Sequence, residues 1–86
     1  MPLISRFFGI SIYMYFDDHH PPHFHAIYNE YEALVEISEL KILTGNIPSR
    51  ALGLVIERAS LHKAELMNNW DRAVRMESIE KIDPLN

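Results

Sequence analysis

Apolar and polar residues alternate in the first part of the chain with the two-residue period typical of β-strands. Within residues 7–16, every second position from residue 10 carries a large apolar side chain: Ile10, Ile12, Met14 and Phe16. The positions between them carry serine or tyrosine. This pattern predicts one strand with an apolar face, and Gly9 indicates a bulge near its start.

A second alternating region predicts a hairpin. Its strands cover residues 23–28 and 31–38, and they flank Asn29, a residue type that tolerates the left-handed conformation of a tight turn. Residues 41–44 predict a short fourth strand, and residues 79–82 are a candidate for a last edge strand.

The period of the apolar residues changes after Pro48, a residue that is tolerated in the first turn of a helix. Seven apolar residues then recur at helical spacing and form one stripe: Leu52, Val55, Ile56, Ala59, Leu66, Trp70 and Ala73. The pattern predicts one long helix over about 48–76, with Trp70 as a core anchor, and a C-terminal tail over 77–86.

These elements predict an α+β fold, in which a small antiparallel sheet of three to five strands packs against one long C-terminal helix. The strands and a histidine-rich turn fall within about residues 3–44. A chain of 86 residues has room for one hydrophobic core, so we expect a single domain over 1–86.

Composition narrows the classes of function. The chain has no cysteine, which excludes disulfides and thiolate metal sites. It carries a formal net charge of -4, which argues against binding nucleic acid by bulk electrostatics, although the predicted helix is mildly basic. The N-terminal residues lack the pattern of a signal peptide and no stretch is long enough to span a membrane, so a cytoplasmic location is expected.

The turn between the first two predicted strands carries the candidate chemistry. Four of the five histidines lie in the run Asp17-Asp18-His19-His20-Pro21-Pro22-His23-Phe24-His25. In a strand, His23 and His25 point the same way with Cα atoms about 6.6 Å apart.

Three uses of this cluster are open. His19, His23 and His25 are candidate catalytic residues, because a histidine titrates near neutral pH and can act as general acid or base, as ribonuclease chemistry requires. A divalent metal is a second use, with His19 or Asp18 as the third ligand, although no metal-binding motif is present. In the third, the histidines only donate hydrogen bonds that fix the proline-rich turn.

Two arginines are candidate substrate-binding residues. Arg50 falls at the start of the predicted helix, where it could bind an anion, although a solvated side chain is the alternative. Arg6 precedes the first predicted strand and is the second candidate cation.

The same residues carry a resemblance. Met1 to Gly9, Met14-Tyr15-Phe16 and the run from His19 to Ala26 resemble the bacterial family catalogued as domain of unknown function 4160. In the helical region, Pro48, Arg50-Ala51-Leu52, His62, Glu65-Leu66 and Asn69-Trp70 match that family as well. The likeness covers essentially the whole chain. His20 and Arg58 depart from it, because the family has a small polar and a large apolar residue at these positions.

The resemblance implies a context. Members are commonly encoded beside a second small family, catalogued as 2442, in a layout similar to a toxin–antitoxin pair. The resemblance therefore implies a toxin-like component that binds a cognate small antitoxin-like protein and targets RNA or the ribosome, and it leaves homo-oligomers open. The alternative is a non-enzymatic module that binds and regulates a small partner protein.

Overall fold

The computed structural model describes residues 3–15, 21–75 and 77. Five strands form one antiparallel sheet in sequence order, and two helices follow them. The strands are β1 (Leu3–Phe7), β2 (Ile10–Tyr13), β3 (His23–Tyr28), β4 (Tyr31–Glu36) and β5 (Ile42–Asn46). The helices are α1 (Ser49–Leu61) and α2 (Lys63–Val74). The predicted α+β class and antiparallel sheet are confirmed, whereas the candidate strand at 79–82 lies outside the described residues.

The predicted single strand over 7–16 is wrong, because the chain reverses direction within it. Phe8 and Gly9 have φ angles of 50° and 77°, and Phe7 pairs with Ile10 across the turn. Positive φ at both central residues is the geometry of the tightest hairpin turn. Gly9 therefore marks a turn between β1 and β2 rather than a bulge.

The predicted single helix is also wrong, because it is divided at His62. This residue leaves the helical conformation with φ -120° and ψ 25° and separates α1 from α2. Its backbone N–H is shared between the carbonyls of Ala59 and Arg58 at 3.1 and 3.2 Å, while its Nδ1 donates to Glu65 at 2.6 Å. A side chain that bonds into the next turn thus accompanies the interruption of the helix.

The core lies between one side of the sheet and the helices. Cross-strand neighbours such as Phe24 and Val35, or Ile12 and Ala26, share that side and are at most 4% exposed. Trp70 of α2 is 2% exposed and belongs to the same apolar cluster, which confirms it as a core anchor. No helix in the described part of the chain is long and apolar enough to cross a membrane.

Candidate functional site

Two of the candidate histidines lie side by side on β3. Because side chains alternate along a strand, His23 and His25 project from the side of β3 away from Phe24 and Ala26. Both are nevertheless buried, with 4% and 8% of their surface exposed. We refer to this side of the sheet as the histidine side.

His23 holds the proline turn. Its Nδ1–H donates to the carbonyl of Pro21 at 2.8 Å, and the amide of Ile37 donates to the carbonyl of Pro22 at 3.0 Å. These bonds tie both prolines to the sheet. Nδ1 of His23 thus makes the kind of hydrogen bond that the third use of the cluster requires, one that fixes the proline-rich turn.

His25 is paired with a carboxylate. Its Nδ1 lies 3.0 Å from Oε2 of Glu32 on the neighbouring strand β4, with 11% and 47% of the two side chains exposed. An ionised carboxylate only accepts hydrogen bonds, so Nδ1 carries the proton and Nε2 is the basic nitrogen of the neutral ring. A histidine oriented in this way by a carboxylate is the arrangement that general acid–base catalysis uses.

Aromatic rings fix the histidine pair from two directions. The Tyr15 ring meets His25 edge-on, with centroids 4.2 Å apart and planes at 89°. The two histidine rings are 5.3 Å apart, and the indole of Trp70 lies 5.2 Å from His23. The resulting row of rings, Tyr15–His25–His23–Trp70, links the end of β2 to helix α2 and restricts the rotation of both imidazoles.

A second carboxylate lies on the same side. Glu36 is the Cα neighbour of His23 across the sheet, and its Oε1 is buried with no hydrogen-bond partner among the described residues. The described residues form no group of three or more histidine and acidic side chains that could hold a metal ion. His19 and Asp18, the proposed third ligands, lie outside these residues, as does His20.

The two candidate arginines lie on different sides of the sheet. Arg6 is paired with Ser11 across the sheet, and Ser11 with Ile27, which lies on the same side of β3 as His25. Arg6 therefore lies on the histidine side, and its Nε donates to Ser11 Oγ at 3.2 Å. Arg50 is exposed in the first turn of α1 and lines a cavity with Ile10 and Tyr28, a pair on the core side. The structure therefore brings Arg6, but not Arg50, to the side that carries His23 and His25.

Several site residues were not identified from sequence. The spacing arguments singled out neither Glu32 nor Tyr15. A usable signal existed for Glu32: the hairpin turn at residues 29–30 pairs Ile27 with Glu32, which lies diagonally across from His25. No comparable signal locates Tyr15, because its contact depends on how the chain leaves β2.

Comparison with known proteins gives one match. The model of the family described as Domain of unknown function (DUF4160) matches residues 9–71, which include β2 to β5, both histidines of β3 and most of the helical region. No curated protein and no solved structure matches the chain.

Proposed function

We propose a function for this chain from the pairing of His25 with Glu32. The chain belongs to the family described as Domain of unknown function (DUF4160). The domain is the toxin-like component of a bacterial toxin–antitoxin module, and it cleaves RNA by acid–base catalysis. The observation that carries the proposal is the 3.0 Å bond from His25 Nδ1 to Glu32 Oε2. This bond directs the basic Nε2 of the ring away from Glu32.

In the proposed reaction, His25 Nε2 removes the proton from a ribose 2′-hydroxyl. The 2′-oxygen then attacks the adjacent phosphorus, and the bond from phosphorus to the 5′-oxygen breaks. The leaving 5′-oxygen takes a proton from a second acid, a role that we assign to His19. The products are a 2′,3′-cyclic phosphate and a 5′-hydroxyl. Glu32 stabilises the imidazolium that forms on His25, as a carboxylate does in other base–carboxylate pairs.

His23 is a positioning residue in this mechanism. Its Nδ1 is committed to the Pro21 carbonyl, and its ring fills the space between His25 and Trp70. It holds Pro21, at the start of the described part of the turn, and the plane of the His25 ring. Orientation of this kind contributes to catalysis without contact with the reacting atoms.

Arg6 is the proposed phosphate contact. It lies two strands away from His25 on the same side, and the sheet geometry separates the two Cα atoms by about 12 Å. A long arginine side chain can reach a phosphate that flanks the cleaved bond. A chain with net charge -4 has little non-specific affinity for RNA, so we assign recognition of the target to docking on a larger assembly such as the ribosome.

A second candidate function, a non-enzymatic interaction module, has one observation in its favour. Strand β5 is an edge of the sheet, contains no charged residue, and exposes 38% of Leu43. Edge strands usually carry charges or proline that prevent pairing with another chain. A partner protein could therefore add a strand beside β5, as occurs in recognition by β-augmentation.

Controlled expression in a bacterial host distinguishes the two functions. His25→Asn retains an amide donor toward Glu32 but removes the basic nitrogen, so it should abolish growth inhibition and leave binding of a partner intact. His62→Asn is the matched control, because His62 also pairs with a glutamate but lies at the helix junction. Equal toxicity of the wild type and His25→Asn would exclude the enzymatic function.

A further inference from the structure

The turn between β1 and β2 holds an aromatic side chain in an unusual position. Phe8 has a φ of 50° and exposes 63% of its surface, although phenylalanine rarely adopts the left-handed conformation. Asparagine or glycine would occupy this position of the turn without strain. A strained backbone that displays a large apolar ring to solvent is a feature of binding sites.

Phe8 borders a cavity of about 330 Å³ on the core side of the sheet. Its other apolar walls are Ile10, Tyr28, Ala51 and Leu54, and Pro48 and Arg50 line it where α1 begins. A concave, mainly apolar site with one convergent polar group is typical of ligand pockets. Its volume is sufficient for one bulky side chain from another protein.

Two arginines lie at the cavity: Arg50 lines it, and Arg58 lies beside the Phe8 ring that borders it. Arg50 is exposed, and no described carboxylate pairs with it. The guanidinium of Arg58 lies 5.3 Å from the centre of the Phe8 ring and 5.5 Å from that of Phe7, and its Nε is buried with no hydrogen-bond partner among the described residues. A buried cationic N–H without an acceptor favours a carboxylate ligand, because leaving it unsatisfied is costly.

We propose that this cavity is a docking pocket for a partner protein that inserts one bulky apolar side chain flanked by carboxylates. The apolar walls would receive the side chain, while Arg50 and Arg58 would pair with the acidic groups. RNA is the less suitable occupant, because the cavity walls are mainly apolar and the chain as a whole is acidic. The pocket lies on the side of the sheet opposite to His25, so this docking is independent of the histidine chemistry.

Nuclear magnetic resonance titration of the isotope-labelled full chain tests the pocket. The probes are capped peptides with leucine, phenylalanine or tryptophan between two glutamates. We expect a dissociation constant of about 1 mM, with shifted amide signals concentrated at Phe8, Tyr28, Arg50 and Leu54. Peptides with glutamine in place of glutamate should bind about tenfold more weakly, and peptides with serine in place of the apolar residue should not bind.

Two variants and one control complete the test. Phe8→Asn suits the turn and should raise the melting temperature while it abolishes binding, and Arg50→Gln should weaken binding about tenfold at unchanged melting temperature. Arg6→Gln, on the other side of the sheet, should bind as the wild type does. The absence of shifts with every peptide, shifts at other residues, or binding of a uridine oligonucleotide at these residues in place of the peptides would overturn the proposal.

Discussion

At the scale of single residues, the sequence located the histidines but not their contacts. Spacing in a strand correctly predicted that His23 and His25 share one side of β3, and their rings are 5.3 Å apart. Their different roles depend on hydrogen-bond partners that the local pattern does not specify. His25 meets Glu32 through the register of a hairpin, whereas His23 meets Pro21 through the path of the turn.

Removing the carboxylate of the pair tests the role of Glu32. Glu32→Gln keeps the size and polarity of the side chain but cannot stabilise an imidazolium on His25. We expect RNA cleavage to fall by about 10²-fold or more with an unchanged melting temperature, because orientation and charge both assist the base. Glu65→Gln, in the His62 pair, is the matched control and should retain full activity.

At the scale of elements, turns were harder to predict than strands and helices. The alternation of residues 10–16 has the period of a strand and gives no sign that the chain turns just before it. The positive φ angles of Phe8 and Gly9 reveal the hairpin. The helix break is equally hidden. Ala59 and Leu66 are seven residues apart, a spacing that keeps both on one face of a continuous helix, and no proline or glycine lies between them.

The glycine of strand β5 provides a stability prediction for the sheet. Gly45 has a φ of 81°, and a Cβ there would collide with the backbone carbonyl of Glu32. Gly45→Ala should therefore lower the free energy of unfolding by more than about 1 kcal/mol, measured by denaturant unfolding. Gly53 in α1 has no atom within 4 Å of such a Cβ, so Gly53→Ala should stabilise the protein by about 0.5–1 kcal/mol. Equal effects of the two substitutions would contradict the backbone conformation assigned to β5.

Trp70 connects helix α2 to the sheet and to the histidine pair. It is 2% exposed, so Trp70→Ala should lower the free energy of unfolding by about 3–5 kcal/mol. Thermal unfolding followed by circular dichroism measures the loss. If the melting temperature of Trp70→Ala stayed within about 2 °C of the wild type, the indole would not be packed in the core.

At the scale of the whole molecule, the fold separates two surfaces. One side of the sheet carries His25 and Glu32, and the cavity beside Phe8 lies on the other. The order and antiparallel pairing of the strands follow from alternation and short connections, which is why the α+β class could be predicted. The cavity could not be predicted, because it depends on where α1 begins relative to the first hairpin.

The toxin–antitoxin proposal predicts that a small protein is encoded beside this one and forms a stable complex with it. An interface of standard size buries about 1,600 Å² in total, enough to survive chromatography at micromolar concentration. Co-expression followed by size-exclusion chromatography with light scattering measures the complex. Separate elution of the two proteins would refute both the partnership and the toxin–antitoxin proposal.

The most direct test of the central claim is the chemistry of cleaved RNA. The purified chain is incubated with ribosomes translating a defined messenger RNA, and the new RNA ends are identified by mass spectrometry. Acid–base catalysis at His25 predicts 2′,3′-cyclic phosphate ends with the wild type and a loss of about 10²-fold or more with His25→Asn. Intact RNA with the wild type, or equal cleavage by the two proteins, would contradict it.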